Sequence, residues 1–148
     1  MLFSVVFYIF SVLLSYTDCT RFKVPNVIVG TMSVMLLFFG IIEDKIYLSS
    51  FIVPLIILSF FIAILLLMPK MILGGGDIKY MMIVGFYLPY LVFPLFLLIS
   101  GVLQTITLLY AQKVRKRRVV AMVPVMFASV VIAQILVYFD LYPLAKYL

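Results

Sequence analysis

Residues 71–82 read MILGGGDIKYMM, from Met71 to Met82, and how this stretch is read decides how many helices the chain has. Three consecutive glycines and an aspartate interrupt two runs that otherwise suit a membrane interior. Lipid offers backbone groups no hydrogen-bond partner, so a spanning segment needs an unbroken helix, and a carboxylate inside it is costly. Either the stretch is an ordinary loop at the membrane surface, or its glycines position Asp77 for chemistry.

Composition narrows the setting. Apolar residues make up 68% of the 148-residue chain, against roughly 45–50% in a soluble domain. The length suits several spanning helices with short connections in one domain, and leaves no room for a sizeable soluble one. The single Cys19 forms no intrachain disulfide, and the absence of histidine removes the usual zinc sites and every Ser-His or Cys-His pair. No metal or cofactor is expected.

Outward from the glycines, the apolar runs predict an all-α, polytopic bundle of about six transmembrane helices. The segments are Met1–Thr17, Val27–Ile42, Leu48–Met68, a short one from about Asp77 to Leu88, Leu91–Ala111 and Val119–Phe139. The first lacks a basic start and a small-residue cleavage site, so it reads as a retained helix and not a signal peptide. The fourth is short enough to be re-entrant, or one arm of a bent helix running through Pro89. Pro54 and Pro94 are expected to kink the third and fifth helices.

Charge orients the bundle. Arg21, Lys23, Lys70, Lys79, Lys113, Arg115, Lys116, Arg117 and Arg118 fall in alternate connections, and only Lys45 and Lys146 fall on the other side. The richer side is predicted to be cytoplasmic, with both termini outside. Without a fourth helix, Lys70 and the run KVRKRR would lie on opposite faces, so the charge pattern favours counting it. The net charge of +6 is assigned to topology and to anionic lipid headgroups, not to nucleic acid.

Of five acidic residues, Glu43, Asp44 and Asp140 lie on the outer side, which leaves Asp18 and Asp77 together on the inner one. Asp77 has a plain role as a helix cap. Asp18 follows the first helix, where a carboxylate opposes the helix dipole, with Arg21 as a possible surface partner. A functional reading unites them. Two carboxyls sharing one proton hydrolyse a peptide, one as base on water and the other as acid to the carbonyl oxygen and the leaving amine. Gly74, Gly75 and Gly76 can then adopt positive φ and let an extended peptide lie beside Asp77. The spacing of GGGDIK does not fit a phosphate-binding loop. VPN, Val24 to Asn26, reads as a stop and restart between helices.

At these residues the chain resembles the type IV prepilin peptidases, membrane aspartic proteases of the GxGD class. GGGD at Gly74–Asp77 fits G-x-G-D, and DIK continues it through Lys79. DCTRFKVPN, Asp18 to Asn26, resembles the first-aspartate segment, with basic residues and then Pro25 and Asn26. VPVMFA, Val123 to Ala128, is a weaker likeness of a proline motif in the last helix.

The resemblance implies catalysis by Asp18 and Asp77, with Gly74, Gly76, Lys79, Pro25 and Asn26 in supporting roles. It implies removal of the short basic leader of prepilin or pseudopilin-like precursors at the cytoplasmic face of the cell membrane. The chain lacks the paired C-x-x-C region of longer bifunctional members, so no methyltransferase activity is expected. Its length is closer to the compact Flp or tight-adherence pilus enzymes, with the archaeal preflagellin peptidases second. Presenilin-type proteases carry a Tyr-Asp pair, whereas Thr17 separates Tyr16 from Asp18. Two rivals stand beside this reading: a small transporter or channel subunit using both aspartates as a proton relay, and a non-catalytic pilus or secretion assembly scaffold.

Overall fold

Six α-helices and no strand make up the described part of the computed structural model, which covers residues 1–21, 24–46, 48–67, 75–115 and 120–139. The helices are α1 (Leu2–Arg21), α2 (Asn26–Ile42), α3 (Leu48–Leu67), α4 (Gly75–Tyr87), α5 (Phe93–Arg115) and α6 (Val123–Tyr138). α1 and the Phe93–Lys113 stretch of α5 are long and apolar enough to cross a membrane, while Asn26–Ile42, Ser50–Ile64 and Val123–Tyr138 are shorter apolar segments.

Helical periodicity sorts each sequence into an inner and an outer face. On α1 the buried residues are Phe3, Phe7, Ser11, Leu14 and Asp18, spaced three or four apart, which is one face of a 3.6-residue helix. On α2 they are Val29, Met32, Leu36 and Gly40. The opposite faces remain apolar but uncovered, as at Ile9, Leu13, Val34, Phe38, Ile56 and Phe60. Helices apolar on every side suit a lipid surround and would leave large patches unfavourable in water.

Packing follows from these faces. α1 lies between α2 and α6, α5 packs on α6, and α3 packs on α4, which also touches α2 and α6. Tyr87 of α4 stacks on Phe7 of α1, with ring centroids 3.7 Å apart. At the same end of the bundle α2 closes with Lys45 N–H donating to Gly40 O at 2.9 Å and Asp44 N–H to Ile41 O at 3.3 Å. This is a Schellman-type stop, with Asp44 in the left-handed region at φ 50° where glycine is usual. Glu43 of that turn accepts from the Phe3 N–H at 3.1 Å, which joins the start of α1 to the end of α2.

Several boundaries differ from the sequence-based expectation. α1 does not stop at Thr17 but carries Asp18 inside its last turn. α4 starts at Gly75, before Asp77, and ends before Pro89; α5 begins separately at Phe93, so the two are not one bent helix. Pro94 falls in the first turn of α5 and not at an interior kink, because a first-turn residue needs no intrahelical N–H partner. Pro54 does lie inside α3. α6 begins at Val123 with Pro124 in its opening turn.

Candidate active site

The end of the bundle opposite Glu43 gathers the C-terminal turn of α1 and the N-terminal turns of α2, α4 and α6. Asp18 is almost fully buried there, at 6% exposure. Its Oδ2 accepts a hydrogen bond from the Val123 N–H at 3.0 Å. The first N–H groups of a helix have no partner within it, and the positive end of the α6 dipole faces the carboxylate. α6 thereby offsets the unfavourable position of Asp18 at the C-terminal end of its own helix. Among the described residues Asp18 forms no ion pair with Arg21; the surface pairing their spacing allows is replaced by this buried contact.

Asp77 lies in the first turn of α4 and is half-buried. Gly74 lies outside the described residues. Gly75 and Gly76 are helical, and no described glycine has positive φ. The expected left-handed loop is therefore not what these two glycines provide. A Cβ on Gly76 would stand 2.7 Å from both Cβ and Cγ2 of Val24, whereas one on Gly75 would meet nothing within 4 Å. Gly76 serves close packing, since a hydrogen in place of a methyl lets α4 sit against the chain that enters α2. The neighbour it makes room for is this protein's own Val24.

The two motifs meet a second time at Lys79, whose Nζ donates to Asn26 Oδ1 at 2.6 Å. Pro25 occupies the N-cap position of α2 with φ −67° and ψ 126°, and its carbonyl accepts the Val29 N–H at 3.2 Å. The fixed φ of proline and the extended bias it imposes on Val24 end one element and start the next. Val24 and Asn26, at the entry to α2, thus form a strut against the Asp77 helix. Cys19, next to Asp18, faces outward and is a free thiol.

The sequence places Val123 and Val24 inside its motifs but does not show what they touch. Neither carries a chemical signature, because one contributes a backbone N–H and the other only shape. The likeness seen in VPVMFA was the available signal for the first. Among the described residues no cluster of three or more His, Cys, Asp or Glu side chains is arranged to hold a metal ion.

A family model described as the type IV leader peptidase family matches residues 5–109, a span that includes Asp18, the Val24–Asn26 strut and Asp77. The VPVMFA segment lies beyond the matched residues. No curated protein and no solved structure gives a significant match. The matched span covers most of the chain and both aspartate motifs, and the protein belongs to the type IV leader peptidase family, a family of membrane-associated peptidases.

Proposed function

We propose that this protein is an aspartic endopeptidase embedded in the cell membrane, with Asp18 and Asp77 as its catalytic pair. The observation that carries the reading is the joining of the two aspartate motifs through Gly76 against Val24 and Lys79 on Asn26. Asp77 lies within two residues of both contacts, and Asp18 is held by the α6 terminus.

One carboxylate takes a proton from a water that attacks the scissile carbonyl. The other donates to the carbonyl oxygen, and the proton then passes to the leaving amine. The substrates are prepilin or pseudopilin-like precursors, cut at the short basic leader on the cytoplasmic face, with both termini of the enzyme outside. The orientation assumes six membrane crossings, and the basic residues near Asp18 and Asp77 in the sequence support it through the positive-inside rule. The same basic side chains contact anionic lipid. Within the family, the reading places it with the Flp or tight-adherence type.

A proton-relay transporter is disfavoured because both aspartates lie in terminal turns, whereas a relay needs acids at mid-span. A scaffold gives no reason to bury Asp18 on the N-terminus of another helix. Incubation of the purified protein with a prepilin precursor in detergent tests the proposal. A mobility shift for the wild type that is absent for Asp18→Asn and Asp77→Asn is expected, and an intact precursor with wild-type protein across a panel of prepilins would refute it.

A further inference from the structure

The meeting faces of α1 and α4 carry more polar groups than the proposed reaction uses. Tyr8, Ser11, Ser15 and Asp18 recur along α1 at spacings of three and four, and Asp77, Tyr80, Val84 and Tyr87 do the same along α4, so each set shares a face. Far from the aspartates this seam is satisfied: the Tyr8 hydroxyl donates to Gln134 Oε1, and Gln134 Nε2 donates to the Tyr87 hydroxyl at 3.0 Å. At the aspartate end Asp18 holds the Val123 N–H.

Between these ends, Ser11 Oγ, Ser15 Oγ and the Tyr80 hydroxyl are buried without a hydrogen-bond partner among the described residues. Ser11 and Tyr80 are fully enclosed, at 0% exposure. Tyr80 and Ser11 lie near enough to interact, although no hydrogen bond of normal geometry joins them. A buried hydroxyl left unpaired costs about 1–3 kcal/mol, and alanine or phenylalanine would fill these positions without that penalty. Three such groups in one seam call for a small ligand that both donates and accepts. Water does so without charge, typically through about three hydrogen bonds to buried polar groups.

We propose that Ser11, Ser15 and Tyr80 bind internal water between α1 and α4, and that this water hydrates the aspartate end of the bundle from behind. The use of the water rests on the peptidase reading, whereas its presence does not. Peptide hydrolysis consumes one water per turnover: its hydroxyl joins the acyl carbon, the C–N bond breaks, and its remaining hydrogen ends on the leaving amine. A peptide lying across the open side screens the carboxylates from bulk solvent, and a rear site keeps water within reach of them. Tyr80, one turn along α4 from Asp77, and Ser15, one turn before Asp18 on α1, are the positioning residues of this site.

Two measurements on the full chain in bilayers test the proposal. Water-edited solid-state NMR is expected to show rapid magnetisation transfer from water to Ser11, Ser15 and Tyr80 but slow transfer to their buried neighbours Leu14 and Val84. Transfer to the three hydroxyl residues as slow as to Leu14 would overturn the water site. In precursor cleavage, Tyr80→Phe and Ser15→Ala are expected to lower kcat on the order of tenfold, as for other losses of positioning. Their KM and melting temperature should hold, while the pH profile of kcat moves. An unchanged kcat and pH profile in both variants would overturn the hydrating role. If the wild type cleaves no precursor, the peptidase reading fails by itself, and the NMR transfer still decides whether the water is there.

Discussion

Lys79 Nζ donates to Asn26 Oδ1 at 2.6 Å, tying the Asp77 helix to the first residue of α2. The pair is exposed, so its contribution to stability is small, about 0.5–1 kcal/mol. Its larger effect is on register. Lys79→Ala and Asn26→Ala are each expected to lower cleavage, and the double variant should lose little more than the worse single one. Additive losses in a double-mutant cycle on kcat/KM would show that the two act separately.

Gly75 and Gly76 are neighbours with opposite surroundings. Gly75→Ala adds a methyl in open space on a helix and is expected to keep activity and raise stability by about 0.5–1 kcal/mol. Gly76→Ala drives its methyl into Val24, and strain of this kind costs about 1–3 kcal/mol. Val24→Ala in the same chain should recover part of both melting temperature and cleavage. Failure of that rescue would mean Gly76 is needed for something other than room beside Val24.

The Asp18 contact separates chemistry from structure. Asp18→Asn retains an oxygen for the Val123 N–H and is expected to fold normally without cleaving. Asp18→Ala leaves that N–H buried and unpaired, and should lose both cleavage and about 1–3 kcal/mol of stability. Asp77→Asn should likewise abolish cleavage. Substantial turnover by either Asn variant would contradict a carboxylate pair.

At the other end of the bundle, the Met1 ammonium beside Glu43, and then Lys45, hold the Glu43 carboxyl down at about 2 from its usual 4.5. Because the folded value is the lower one, the stabilisation is complete above about 4.5 and is lost as pH falls through about 2. Melting curves of Glu43→Gln should fall less steeply than wild type across that window. Added salt should shrink the difference, since the cationic partners Met1 and Lys45 are exposed.

Cys19 adjoins Asp18 but points outward as a free thiol, with no histidine in the chain to take its proton. Cys19→Ser is expected to cleave at nearly the wild-type rate. Complete inactivity of a well-folded Cys19→Ser protein would point to a thiol mechanism.

The helix count, the all-α class and the placing of Asp18 and Asp77 at the same end of the bundle were legible in the sequence by itself. Apolar run length and breaks at glycine and proline are one-dimensional properties, set within about 20 residues of each position. Prepilin-like aspartate motifs were legible for the same reason, as short local patterns. The tertiary structure decided what those patterns touch. Asp18 finds its partner 105 positions away, in the Val123 N–H, because a helix terminus leaves N–H groups that only a distant element can satisfy. Gly76 is small on account of Val24 and not of a loop conformation, a contact set by the angle at which α4 meets the α2 entry. Ser11, Ser15 and Tyr80 become a site only when the bundle encloses the inner faces of α1 and α4. Hydroxyls at helical spacing are visible in a sequence, but whether they are buried and unpaired depends on packing between segments, which no single segment encodes.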